Sequence, residues 1–520
     1  MDLLNLGVML SAHARLFPGK PGARDLERSL TFREWNARSC RLANALLGLG
    51  LHKGDRVAVL AYNCLEWAEI YAAVAKAGLV AVPVNFRLTA REAAFIIGNA
   101  EASAIIVQDE LSGVIEDMGA HLPVARDRII GFGRVPITGC RDYEELIGAA
   151  SAAEPQQQHG LADPWTLMYT SGTTGNPKGA IRSHRGAANM ALVTATELGL
   201  NRDDGALLVM PMCHANSLYF FGAFAYCGAT TTIYSRKNFD PEECVRTLAQ
   251  GGATFTSLVP THYIMMLALS ASVKAKYDLS RVRKLMISSA PARADTKRAV
   301  MEMFGNSGLF ELYGSTEAGW VTMLHPDEQF DQLGTVGREC VGSAPIKLLD
   351  EGGNEVPDGE TGELYSCNTY TFDGYWKLPE KTKDAFRGDY CTVGDMALRD
   401  SNGYIRLVDR KSNMIISGGE NVYPSEVEAA VGAHPKVKDV AVVGIPHEKW
   451  GESVLAVVVS HQGETLTEAD LTDWTRERLA GYKRPRAFAF IADHDMPRNA
   501  TGKILHRELK ARYTHDAETK

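Results

Sequence analysis

The sequence of 520 residues is short of several features that mark specialised classes. It has no CxxC and no His/Cys cluster at metal-ligand spacing, and its nine cysteines are scattered from Cys40 to Cys391. That argues against a disulfide framework or a structural zinc site and points to a reducing cytoplasm. It has no basic excess, with a formal net charge of −8, so no nucleic-acid partner is expected. It has no basic n-region: Asp2 stands where a signal peptide carries Lys or Arg, and the opening reads as an amphipathic helix with Leu3, Leu4, Val8 and Leu16 on its apolar face. Residues 205–235 lack any formally charged group, yet Pro211, His214, Asn216, Gly222 and Gly228 interrupt the run. Buried strand and pocket wall fit this stretch better than a membrane span, so no transmembrane segment is expected.

What is present is an ordinary globular composition, 45% hydrophobic and 23% charged, in a chain too long for a single core. Apolar runs at 57–61, 79–84 and 104–107 read as strands. Between them Trp67, Ile70, Tyr71 and Val74 recur at helical spacing, and Thr89 with Glu92 forms a capping box. This alternation predicts a largely parallel sheet covered by helices. Residues 165–169 read as a strand entering a glycine loop, with a helix from Ser183 onward, so the loop is expected between strand and helix. From 334 to 407 frequent Gly, Asp and Asn predict a small antiparallel β region. Beyond Arg410 a second α/β domain of about a hundred residues is expected, opened by a capping box of Ser425 and Glu428.

The glycine loop is TSGTTGNPKG, residues 170–179. It is not a Walker A, because Lys178 follows a proline and precedes a glycine. The physical logic is shared: Gly172, Gly175 and Gly179 let backbone N–H groups approach phosphate, Thr170, Ser171, Thr173 and Thr174 carry hydroxyls, and Lys178 adds charge. Four further segments follow in order: ELYGSTEAG at 311–319, TVGD ending at Asp395, VDRKSNMIISGGENVYPSEVE at 408–428, and PRNATGKILHREL at 497–509. In the first, Tyr313 offers a flat face for a base and Glu317 an acidic ligand for Mg²⁺ beside phosphates.

Together these segments resemble the adenylate-forming superfamily, which includes acyl- and aryl-CoA synthetases, and the resemblance covers nearly the whole chain. It implies a large N-terminal domain of two parallel-type α/β sheets plus a small β-barrel over residues 1–409. A small mobile α+β lid at 413–520 and a hinge near 410–412 complete the fold. The family's hinge position falls on Ser412, with Lys411 before it, and either can be the pivot.

The resemblance also assigns roles. ATP would be held by the glycine loop, by Ser289, Ala290 and Pro291 along the adenine, by Glu311, Tyr313 and Gly314, and by Asp395 and Arg410 at the ribose. Thr316 would meet phosphate or substrate carboxylate, Glu317 would hold Mg²⁺, and His214 would lie near the carboxylate. Lys503 would insert between that carboxylate and the α-phosphate. Gly418, Gly419, Glu420 and Lys483 would serve coenzyme A.

The implied reaction is a two-step ligation in the cytoplasm. Acid and ATP give an acyl-adenylate and pyrophosphate, then a thiol displaces AMP. Asn216, Tyr219, Phe220, Tyr263 and Trp320 are expected to line the acid pocket. No carboxylate between 205 and 235 is available to pair with an α-amino group, which disfavours amino acids. A medium-chain, alicyclic or aromatic monocarboxylic acid is expected. A carrier-protein acceptor and a non-catalytic nucleotide binder stay open as alternatives, although Lys503 and Glu317 argue against the second. A homodimer is compatible with the sequence.

Overall fold

A computed structural model describes residues 4–518 apart from 157–159, 171–176, 289–291, 418–419, 448–449 and 499–502. The chain divides into two compact units, one formed by 1–345 with 366–391, the other by 346–365 with 392–520.

The larger unit holds two mixed sheets. In the first, the strands Arg56–Leu60, Val80–Val84, Ala102–Gln108 and Ile129–Phe132 run parallel, and Pro164–Thr170 extends the set beside Val80–Val84. In the second, Thr230–Ile233, Gly205–Leu208, Phe255–Leu258, Lys284–Ser288 and Gly308–Ser315 run parallel, and Gly319–Leu324 turns back antiparallel. These strands are apolar on both faces because helices cover them, as βαβ crossovers require. One apolar core takes Val57 and Val59 from the first sheet, Ala206 and Leu208 from the second, and Trp35, Trp67, Tyr71 and Phe221 from the helices Phe32–Gly48, Glu66–Ala77 and Ala215–Cys227. The uncharged stretch 205–235 is thus a strand, a helix buried along most of its length, and a strand. No helix among the described residues is long and apolar enough to cross a membrane.

Several expectations need correction. The first helix spans Leu6–Leu16, but it buries Leu6, Leu10 and His13, while Leu4 and Leu16 are exposed. Thr89 and Glu92 do close a capping box. The glycine loop does not lead from strand to helix. It joins Pro164–Thr170 to a second strand, Lys178–Ser183, which pairs antiparallel with Thr170 opposite Lys178. The helix starts one element later, at His184, capped by Ser183. The hairpin wins because its ladder satisfies the backbone on both sides of the loop and buries Gly179 against Leu167.

The smaller unit contains a four-stranded antiparallel sheet of Lys347–Leu349, Gly362–Tyr365, Asp395–Arg399 and Ile405–Arg410. It also contains a second sheet in which Val437–His447 and Gly451–Ser460 pair over their length, with Ala487–Phe490 parallel to the latter. The expected capping box of Ser425 and Glu428 does not form. Pro424 takes the first helical position, so the cap falls on Tyr423. Ser425 instead donates its backbone N–H to Asp409 Oδ2 and its hydroxyl to the Val408 carbonyl, and Glu428 pairs with His506 at 2.6 Å.

Candidate active site

In the larger unit, the turn between Gly308–Ser315 and Gly319–Leu324 carries Thr316 and Glu317 at the carboxyl ends of the parallel strands, where open α/β sheets bind ligands. Two glycines shape this turn. A bulge falls between Tyr313 and Gly314, and a Cβ on Gly314 would stand 2.3 Å from the Gly319 carbonyl oxygen. Gly319 has φ +72°, and a Cβ there would stand 2.3 Å from Met190 Cε. Of the glycines of ELYGSTEAG, Gly314 is therefore required by backbone approach and Gly319 by its left-handed φ.

Glu317 is 7% exposed. Its Oε1 accepts hydrogen bonds from the Thr170 hydroxyl at 3.1 Å and the Tyr375 hydroxyl at 3.0 Å. Its backbone carbonyl accepts from Phe372 N at 2.8 Å and from Arg182 Nη1 at 3.2 Å. The Thr316 carbonyl accepts from Arg182 Nη1 at 3.2 Å and from the Tyr219 hydroxyl at 3.1 Å. Lys178 Nζ lies 4.4 Å from the centre of the Tyr375 ring. Thr170 and Lys178 on the hairpin and Glu317, far along the sequence from both, thus converge around Tyr375, which carries no sequence signal of its own.

Such a carboxylate fits Mg²⁺. Mg²⁺ is commonly held by one or two carboxylates plus substrate phosphates. Among the described residues no group of three or more His, Cys, Asp or Glu forms a metal cage.

The pocket residues fall into two groups. Tyr219, Phe220 and Trp320 come together: the Trp320 ring lies 5.2 Å from each of the other two, edge-on to Tyr219. The Trp320 indole N–H donates to Thr194 Oγ1 at 2.8 Å, which fixes the ring. Asn216, at the start of the helix Ala215–Cys227, is held between Ser288 Oγ at 2.9 Å and Ser257 Oγ at 3.1 Å, both at strand ends. Tyr263 is not part of this group. It is fully buried in a separate cluster with Leu207, Val245 and Leu285, and its hydroxyl donates to the Met286 carbonyl. His214 is a helix cap without a side-chain capping bond; burial, reinforced by Arg87, lowers its pKa to about 4, so its ring is neutral at pH 7. Glu311 is buried and paired with Lys297; burial pushes its pKa up against the pull of that lysine. Tyr313 is half-buried and Gly314 exposed. A cavity of about 580 Å³ lined by Leu267, Tyr277 and Met303 contains none of these residues.

In the smaller unit, Asp395 and Arg410 are directly paired across two antiparallel strands, and their side chains meet at 2.9 Å. Lys411 pairs with Glu363 at 3.0 Å. Lys503 precedes Ile504, which forms an isolated antiparallel bridge with Arg498. Although Lys503 keeps more than a third of its surface open, desolvation lowers its pKa, the Arg410 charge adds to this, and Asp395 and Asp409 oppose it. Lys483 binds both oxygens of Glu426, at 2.7 and 2.8 Å, and that bond raises its pKa. Its neighbour Arg484 donates to the Leu479 and Arg476 carbonyls at the end of a helix. Glu420 is exposed. Ser171, Gly172, Thr173, Thr174 and Gly175, with Ser289, Ala290, Pro291, Gly418 and Gly419, lie outside the described residues.

The protein is an AMP-forming acid–thiol ligase. It belongs to the AMP-binding enzyme family, matched over residues 10–376, with the AMP-binding enzyme C-terminal domain matched over 426–503. It is 34% identical over 510 residues to a feruloyl-CoA synthase of an Amycolatopsis species, covering 98% of this chain and 99% of that one. It is 32% identical over 518 residues to a long-chain fatty-acid–CoA ligase of Mycobacterium tuberculosis, covering 98% and 99%. A crystal structure of an anthranilate CoA ligase in complex with anthranoyl-AMP superposes with a TM-score of 0.88 at 27% identity, covering 99% of this chain and 98% of that one.

Proposed function

We propose that the protein activates a medium-chain, alicyclic or aromatic monocarboxylic acid with ATP and passes the acyl group to coenzyme A in the cytoplasm. The observation that carries this reading is the buried Glu317 carboxylate, held by Thr170 and Tyr375 beside Lys178. In this reading Glu317, hydrogen-bonded to Thr170 at one end of the glycine loop, is the anion for Mg²⁺, and Lys178 at the other end is the cation for phosphate. Bound there, Mg²⁺ would offset the charge of the departing pyrophosphate.

Asp395 and Arg410 form the ribose contact, their paired strands presenting carboxylate and guanidinium side by side. Lys503 stabilises the negative charge that gathers when carboxylate attacks phosphorus. Residues 410–412 are the pivot about which the lid of 413–520 turns, so that Lys503 serves the first step and the segment around Gly418 and Gly419 the second. The acid lies against Tyr219, Phe220 and Trp320, an apolar wall that favours an uncharged acyl group. The relative named for feruloyl groups supports the aromatic part of this range.

A kinetic panel of acids with ATP and CoA tests the reading, with pyrophosphate and thioester measured separately. Aryl, alicyclic and medium-chain acids should lead. A preference for amino acids or for diacids contradicts the pocket assignment, and thioester formation on a carrier protein but not on CoA contradicts the acceptor.

A further inference from the structure

Arg182 belongs to none of the roles above. It sits in the strand Lys178–Ser183, is 2% exposed, and is the only buried arginine among the described residues. No carboxylate of the described residues forms an ion pair with it, and its Nε and Nη2 are buried without a hydrogen-bond partner there. Its Nη1 alone is engaged, on the Thr316 and Glu317 carbonyls, and its Cζ stands 5.1 Å from the centre of the Tyr219 ring. That ring is the one whose hydroxyl also holds Thr316 and whose face meets the edge of Trp320.

Burying a guanidinium without an acid partner is costly, and replacing such a charge with an apolar side chain of similar length is often neutral or stabilising. A residue retained only for stability would not be left in this state. What the position does supply is a positive charge beneath the turn that carries Thr316 and Glu317, in surroundings that screen it little. It also links that turn mechanically to the wall of the acid pocket.

We propose that Arg182 is a positioning residue for adenylation. It fixes the Thr316–Glu317 backbone against the Tyr219 wall, and its unpaired charge favours the build-up of negative charge at that turn. The proposal rests on the adenylating function. Acid-dependent pyrophosphate exchange by the unaltered protein tests that function separately, so failure of one is distinguishable from failure of the other.

The test compares Arg182→Met, which removes charge and donors at similar length, with Arg182→Lys, which keeps charge but loses the fork. Folded sites are counted by stoichiometric ATP binding, and thermal unfolding is recorded for each protein. The expected result is a fall of about 10²-fold in kcat for adenylate formation per folded site in Arg182→Met, the size typical of a lost preorganised donor. KM for ATP and acid should change little, the unfolding temperature should be unchanged or higher, and Arg182→Lys should recover part of kcat. Turnover per folded site within about threefold of the parent in Arg182→Met overturns the proposal, whatever the unfolding temperature. Should Arg182→Met not fold, Arg182→Lys decides by the same threshold: a larger loss supports the proposal and a smaller one overturns it.

Discussion

Glu317 and Lys503 are the two residues on which the proposed adenylation rests, and the protein holds them in opposite ways. Glu317 is buried, and its carboxylate and carbonyl accept from Thr170, Tyr375, Phe372 and Arg182. Lys503 is open to solvent on the smaller unit, and its charge is set by desolvation, Arg410, Asp395 and Asp409. A buried carboxylate fixed by hydrogen bonds suits a site that must be in place before substrate arrives. An accessible lysine suits a group that must come and go between two half-reactions. The difference teaches that preorganisation is concentrated on the sheet-end turn, and that the second unit contributes a charge more than a cavity.

Breaking the accessible side should give the largest effect. Lys503→Ala should lower adenylate formation by about 10²–10³-fold, while thioester formation from a supplied acyl-adenylate and CoA stays within about threefold. Equal losses in both assays would remove the division of labour. On the locked side, Glu317→Gln keeps the shape and loses the charge. It should cost about 10²-fold in adenylation and raise the Mg²⁺ concentration needed for half-maximal rate; an unchanged Mg²⁺ requirement would remove Glu317 as the ligand.

Loosening the pocket wall should act on selectivity. Trp320→Leu removes the ring held by Thr194 and should shift preference by about tenfold toward bulkier acids, since each methylene is worth about 1–3 kcal/mol in an apolar pocket. A uniform loss across the acid panel would show that Trp320 serves the fold alone.

The smallest effect concerns the end of the helix His184–Leu198 that carries Thr194. His325 Nε2 meets the buried Glu197 at 3.1 Å, and that bond raises the His325 pKa above 6.5. Glu197 is itself lowered: burial opposes ionisation, but His325 and the Val341 N–H outweigh it. The histidine's contribution to stability is therefore full below pH 6.5 and is lost as pH rises through its raised pKa. The glutamate's contribution is lost as pH falls through its lowered pKa. Changing His325 to Gln should flatten this dependence in thermal unfolding; an unchanged pH profile would show that the pair carries none of it.

The sequence made the chemistry legible and the supports illegible. Thr170, Lys178 and Glu317 are readable because each lies in a compact motif whose residues stand within a few positions of one another. Tyr375 and Arg182, which hold them, come from 58 and 135 residues away from Glu317 and match no local pattern. Pairing of Asp395 with Arg410 follows from strand register, which only the folded sheet defines. The alternating pattern gave the parallel sheets correctly. It does not show the strand Lys178–Ser183, which is defined only by its ladder to Pro164–Thr170, so the loop reads as leading straight to the helix that starts at His184. Tyr263 looked like pocket lining because it is aromatic and adjacent to a strand end, yet the core of the second sheet claims it.

The central claim is that an enzyme-bound acyl-adenylate forms before any thiol takes part. Acid-dependent exchange of labelled pyrophosphate into ATP, measured without CoA, tests it most directly. Exchange that requires the acid and proceeds without CoA is the predicted result. Exchange that appears only when CoA is added, or cleavage of ATP to ADP and phosphate, would contradict it.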